Sequence, residues 1–403
     1  MLQINLLKLK NVLFYILLLS VIFSCNNKSK SAVAGTAGTA ETTWVKADGK
    51  DSLLLLTDRP PNLQTPLKYF LQDYTPNKVF FVRWHLAGLP NAVNTDTFCL
   101  RVGGNVSKEI ALSMNDLKTK FTPVTITALC QCSGNSRSFF DPRVPGGQWK
   151  NGSMGNAKWT GVKLKDILLM AGAKNNSVEV SFNGLDVPPM STTPDFVKSL
   201  QYNHAADGEV MIAYEMNGEP LPVLNGFPLK LVVPGWYATY WVGMLSGIQV
   251  HSTPFEGFWM KKAYLVPKDQ PNGNESPDSI ATNVEPISKM NIRSLFASPE
   301  PNEVIIVGRQ KDIQGLAFDA GYGITTVELS ADNGKTWLPA KLEADLGKYS
   351  WRRWHYNFTP SQKGDYTLQV KATNAKGQTQ PVHQWNHSGY MRNEIETLQL
   401  KAE

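Results

Sequence analysis

Val124-Thr-Ile-Thr-Ala-Leu-Cys130-Gln-Cys132-Ser-Gly-Asn-Ser-Arg137 joins an apolar run directly to a polar turn. The run from Val124 to Cys130 is largely apolar and ends at once in Ser133-Gly134-Asn135, which predicts a buried strand that stops abruptly. Cys132 then sits at the lip of the strand, with Gly134 free to turn the backbone. Arg137, five residues on, would favour the thiolate, the form of cysteine that binds metals. The C-x-C spacing alone favours a half-buried structural cysteine.

Outward from this stretch, the chain from about Leu53 to Pro267 mixes short strands with few helices. Val79-Phe-Phe-Val-Arg-Trp-His85 and Leu229-Lys-Leu-Val-Val-Pro234 read as strands, and Val162–Ala171 has helical spacing that stops at Gly172. Pro267–Pro277 is rich in Pro and Asn and marks a boundary or a long surface loop. Beyond about Pro286 short alternating runs recur: Val304–Gly308, Thr325–Ser330, Trp351–Phe358 and Asp365–Lys371, with Asn333-Gly334 as a hairpin turn. That texture predicts a β-sandwich of immunoglobulin type. The expected class is α+β: a mixed catalytic-type domain over 51–275 and a sandwich over 276–403.

The chain has 403 residues, 42% apolar and 10% aromatic, enough for two or three domains with sizeable cores. Its formal charge is +6, of which Lys8 and Lys10 supply two, leaving +4 without a basic run. Nucleic acid is therefore not an expected partner, whereas a small anion suits a weakly positive field. Lys8 and Lys10 precede the apolar run Val12–Phe23, which is short for a spanning helix, and Ile22-Phe-Ser-Cys25 follows the pattern of a bacterial lipobox. We therefore expect a signal peptide over 1–24, acylation at Cys25, a flexible tether over 25–50 and an exported, lipid-anchored protein facing the periplasm. A plain signal peptide or an uncleaved anchor is the alternative. Cys99, Cys130 and Cys132 remain, an odd number that argues against a disulfide framework, and there is no C-x-x-C-H for covalent haem.

Several words along the chain resemble one family. Cys132-Ser-Gly-Asn-Ser-Arg137, followed by Trp149-Lys-Asn-Gly-Ser-Met-Gly-Asn-Ala-Lys-Trp159-Thr-Gly, resembles the molybdenum-ligand segment of the sulfite oxidase family, and especially its bacterial periplasmic sulfite dehydrogenases. Phe80–His85, Asn183-Gly-Leu-Asp186, Ala213–Gly218, Asn225–Gly235, Gly257–Tyr264, Ser330–Trp337 and Trp385–Asn393 follow in family order across most of 50–400. The resemblance implies molybdenum carried by molybdopterin, with Cys132 as the protein's metal ligand. It also implies Arg83, His85, Asp186, Lys230 and Trp241 at the cofactor, and Arg83, Tyr264 and Arg392 at the substrate. Tyr237 and Tyr240 compete with Tyr264, and animal members place the second substrate arginine where this chain has Ser388. They also carry His and Arg where this chain has Asn225 and Lys230; lysine keeps the charge but loses the bidentate fork.

By the same resemblance, the activity would be oxidation of sulfite to sulfate by oxo transfer, with electrons passed to an external c-type cytochrome. The sandwich would form a homodimer. Two departures stand out: no fused haem domain, and no twin arginine in a leader of the kind that usually exports folded molybdenum enzymes. Two rival readings remain. One is oxo transfer to or from another substrate such as a sulfoxide, although methionine sulfoxide reductases of the family resemble the first domain only. The other is a surface lipoprotein whose sandwich binds a partner.

Overall fold

The computed structural model describes residues 44–46 and 50–403; the expected leader, the acylated Cys25 and nearly all of the tether lie outside the described residues. Strand Val124–Gln131 runs antiparallel to Met154–Lys163, pairing Cys130 with Gly155 and Gln131 with Met154. Met154–Lys163 pairs in turn with Met211–Met216, and that strand with Lys230–Val232. A second sheet has the order Lys198–Gln201, Glu179–Asn183, Gly247–His251, Cys99–Gly104, Ile110–Ser113, with only the contact of Gly247–His251 to Cys99–Gly104 parallel. Between them lies one apolar core. Trp159, fully buried, donates its indole N–H to the Ala128 carbonyl at 3.0 Å, which ties the cysteine strand to its neighbour. Gly155 is required by packing: a Cβ there would stand 2.6 Å from the Phe80 ring.

The predicted helix is present but shorter, Leu164–Ala171, because Val162 and Lys163 continue the preceding strand. It ends as expected at Gly172, whose φ of 66° is left-handed. The predicted strand over Val79–His85 shrinks to Val82–Arg83, preceded by a 3-10 turn at Asn77–Val79. Its two-residue ladder to Asn62–Gln64 pairs Arg83 with Asn62, and beyond it the chain is free to aim side chains into the domain.

The C-terminal part forms two facing sheets. One contains Arg293–Ser298, Lys311–Phe318 and Arg352–Phe358; the other contains Glu396–Ala402, Gly364–Asn374 and Ile324–Ser330. Glu396–Ala402 alternates strictly between buried and exposed, the period of a strand with one face on a core. That core is separate from the first, with Phe296, Ile313, Trp354 and Leu398 inside it. Asn333 and Gly334 both take positive φ, but in a longer loop than the expected two-residue turn: the ladder closes at Leu329 with Leu338, and Asp332 Oδ1 accepts from Lys335 N and Thr336 N. The sandwich also docks on the first domain. The Leu129 N–H donates to the Tyr349 carbonyl at 2.9 Å, and Trp351 packs edge-on to Phe70 at 5.3 Å within the first core.

Candidate active site

Beyond Gln131 the backbone turns through hydrogen bonds from Asn135 N to Cys132 O (3.0 Å) and from Arg137 N to Gly134 O (3.1 Å). The left-handed residue of this loop is Ser136, φ 70°, rather than Gly134. Gly134 supplies space instead: a Cβ there would press on the Arg137 guanidinium at 3.0 Å. The Asn135 side chain locks the loop by accepting from Ser153 N (3.0 Å) and Ser153 Oγ (2.7 Å). The result is a buried but unpaired Cys132 at the wall of a cavity. Cys130 also reaches that wall, but burial pushes its thiol up to about 12, so it stays protonated at neutral pH.

Seven of the eight predicted residues line this one cavity: Arg83, His85, Cys132, Asp186, Lys230, Trp241 and Tyr264. Tyr264 sits after the short helix Phe258–Lys261 in a left-handed conformation, φ 58°, which is costly for an aromatic residue and concentrates at functional sites. Its hydroxyl accepts from Arg83 Nη2 at 3.4 Å and is hydrogen-bonded to His85 Nε2. His85 stacks on Phe196 with centroids 3.6 Å apart. Burial, then the charges of Arg83 and Lys198, hold His85 well below its ordinary range, so the imidazole is neutral, and with its proton on Nδ1 it can accept a hydrogen bond from the Tyr264 hydroxyl at Nε2. The competing tyrosines are spent on backbone: Tyr240 donates to the Ile287 carbonyl, and Tyr237 accepts from Asn291 N.

Trp241 contributes its ring face, since its indole N–H is taken by the carbonyls of Val233 (2.9 Å) and Trp236 (3.2 Å). Asp186 is the one carboxylate among the lining residues, and burial raises it to about 6. Lys230 is lowered by burial.

Arg392 is the exception. It is drawn into a buried ion cluster instead, with Nη1 on Glu396 at 3.0 Å and Nη2 on Glu394 at 3.3 Å, while Arg293 also pairs with Glu396. Met391, φ 61°, reverses the chain immediately before it, so that Tyr390 faces the site and Arg392 faces away. Tyr390 stacks on Tyr264 at 5.1 Å and on its other side meets the Arg137 guanidinium, 4.8 Å from the ring centre. The second arginine beside Tyr264 is thus Arg137, held by the carbonyls of Gly389 (3.0 Å), Gly147 (3.3 Å) and Ser388 (3.4 Å).

Two buried lysines escaped the sequence reading. Lys50 donates to Asn77 O (2.7 Å), Phe80 O (3.2 Å) and the side-chain oxygen of Asn225, and burial followed by Lys230 lowers it to about 7. Lys198 lies behind Tyr264 and is also lowered to about 7 by burial. Lysine is so often exposed that neither position carried a signal; only the strand pattern around Lys198, with apolar neighbours Phe196 and Leu200 on its own face, hinted at burial.

Among the described residues, none of Lys50, Arg83, Lys198 or Lys230 forms an ion pair. Buried cations without carboxylates are expensive unless an anion joins them. The buried hydroxyls of Ser133 and Thr239, both at the cavity, also lack partners. An anionic group with hydrogen-bonding edges and an affinity for thiolate fits this donor set. Among the described residues no cluster of three or more His, Cys, Asp or Glu is arranged to hold a bare metal ion.

Comparison with known proteins agrees with this chemistry. Residues 86–259 match the family model described as the oxidoreductase molybdopterin binding domain, and residues 284–401 match the Mo-co oxidoreductase dimerisation domain. Mitochondrial sulfite oxidase of Homo sapiens is 31% identical over 382 residues, covering 89% of this chain and 68% of that protein. The Rattus norvegicus enzyme is 31% identical over 359 residues, and there this chain spans only 64% of the relative's length. Nitrate reductase [NAD(P)H] of Hordeum vulgare is 29% identical over 379 residues, 42% of its length. The crystal structure of the sulfane dehydrogenase SoxCD from Paracoccus pantotrophus shares the fold, with a TM-score of 0.73 at 23% identity over 93% of this chain and 94% of that one.

Proposed function

The chain belongs to the sulfite oxidase family of molybdopterin-dependent oxidoreductases, and from that membership we propose that it oxidises sulfite to sulfate at the Cys132 cavity. The single observation that carries this reading is a cavity lined by two cations without ion pairs, Arg83 and Lys230, whose wall also presents a free thiol. Sulfite and water give sulfate, two protons and two electrons. The family's cofactor, molybdenum on molybdopterin, supplies oxygen-atom transfer and takes up the electron pair when bound.

The chain's own residues do the rest. Cys132 would bind the metal through sulfur, a soft ligand for it. Lys230, with Lys50 behind it, would neutralise the cofactor's phosphate; Ser133, Thr239 and Asp186 offer polar contacts, and the Trp241 ring packs. Arg83 and Tyr264 face the reacting side. The Tyr264 O–H, held by neutral His85, can turn to an oxyanion while Arg83 keeps the oxygen in place. Arg137 adds a second positive charge from behind Tyr390.

Electrons would leave to an external c-type cytochrome, and the C-terminal domain, 276–403, would pair two copies of the chain. We place the protein on a periplasm-facing membrane surface through an acylated Cys25, a reading supported by the leader sequence alone. It is tested by incorporation of labelled fatty acid, which Cys25→Ser should abolish; labelling that persists in the variant would refute it. The activity is tested by sulfite-dependent reduction of cytochrome c. Molybdenum-loaded protein that leaves sulfite untouched would overturn the substrate assignment.

A further inference from the structure

Lys198 opens strand Lys198–Gln201 at the edge of its sheet, yet it is fully buried. Its ammonium donates to the Trp259 carbonyl at 2.7 Å and lies 4.6 Å and 5.2 Å from the ring centres of Tyr240 and Tyr264. One carbonyl and two ring faces are modest compensation for a buried ammonium, and burial accordingly lowers its affinity for the proton. Phe196, two residues earlier, carries the ring on which His85 stacks, so the same short segment supports both the Tyr264 ring and its hydroxyl's partner His85. His85 feels the Lys198 charge directly.

We propose that Lys198 is the positioning cation of the substrate pocket. Its ammonium fixes the Tyr264 ring from behind and supplies a buried positive charge that selects a doubly charged oxyanion over a singly charged one. The proposal rests on reading the cavity as an oxyanion site and deepens it by naming the charge of the substrate. A charge held in a dry site acts on a dianion with twice the energy it exerts on a monoanion, so selectivity, more than turnover, should record it.

The test uses molybdenum-loaded protein at pH 6, where Lys198, lowered to about 7 by burial, still carries its proton, as wild type, Lys198→Met and Lys198→Arg, with dissociation constants for sulfate and nitrate read from tryptophan fluorescence. Wild type should bind sulfate about tenfold more tightly than nitrate or better; Lys198→Met should weaken sulfate about tenfold and nitrate about threefold or less, and Lys198→Arg should restore most of the difference. In steady state the KM for sulfite should rise in Lys198→Met with kcat changed far less. Unchanged sulfate affinity, an equal loss for both anions, or a wild type without preference for sulfate would each overturn the proposal. If Lys198→Met does not melt cooperatively, Lys198→Gln, which keeps a donor for the Trp259 carbonyl without the charge, carries the same comparison. A wild type that does not oxidise sulfite would defeat the functional reading alone, since the two anions still decide the role of Lys198.

Discussion

Two cysteines two positions apart differ in chemistry because their surroundings differ. Cys130 is inside the strand, desolvated and held as a thiol, whereas Cys132 lies past its end at the cavity wall. Cys132→Ser should therefore fold with a near-normal melting temperature and lose essentially all turnover; full turnover would refute its role. Removing the Tyr264 hydroxyl as Tyr264→Phe should lower kcat/KM by roughly 100-fold, the lower end of the range for one preorganised donor. The buried lysines add a pH dependence. Lys50 and Lys198 are lowered to about 7 in the folded protein, so between pH 7 and about 9.5 the unfolded chain binds more protons and stability rises with pH. Cofactor-free protein should thus melt higher at pH 9 than at pH 7, and the difference should shrink in a Lys50→Met/Lys198→Met variant. A difference as large in that variant would mean that other groups set it.

At the scale of elements, the strand Val124–Gln131 and the polar turn after it were legible because a short continuous apolar run bounded by turn residues reads as a buried strand, and its last four residues are all buried. The helix end at Gly172 was legible for a similarly local reason, the left-handed cap. Its start was not, because apolar Val162 suits a strand and a helix equally well. Seven site residues could be placed from motif words, but Arg392 could not, because one left-handed residue, Met391, decides which neighbour faces the cavity. Lys50 and Lys198 were invisible for the opposite reason: their burial is imposed by distant segments, Asn225 in one case and Trp259 in the other. Packing between elements also limits variation. Gly155→Ala should destabilise by about 1–3 kcal/mol in urea unfolding, since its new methyl meets the Phe80 ring; a neutral result would show that the ring can move aside.

For the whole molecule, the sandwich does more than append a second core. It returns Tyr390 to the site, donates Met391 N to the Ser133 carbonyl at 2.9 Å, and pairs Arg353 with Asp73 at 2.9 Å. The Arg293–Glu396–Arg392 cluster anchors this return segment, and Arg293 also donates to Asn151 at 3.0 Å, beside the cysteine loop. Glu396→Gln leaves two buried guanidiniums undercompensated and should cost about 3–5 kcal/mol, read as a lower urea midpoint. The measurement that bears most directly on the central assignment is X-ray absorption at the molybdenum edge of purified wild-type and Cys132→Ser protein. The expected result is molybdenum in both, with one fewer sulfur neighbour in the variant. The same sulfur count in both, or wild-type protein that holds no molybdenum when produced with a full supply of cofactor, would contradict it.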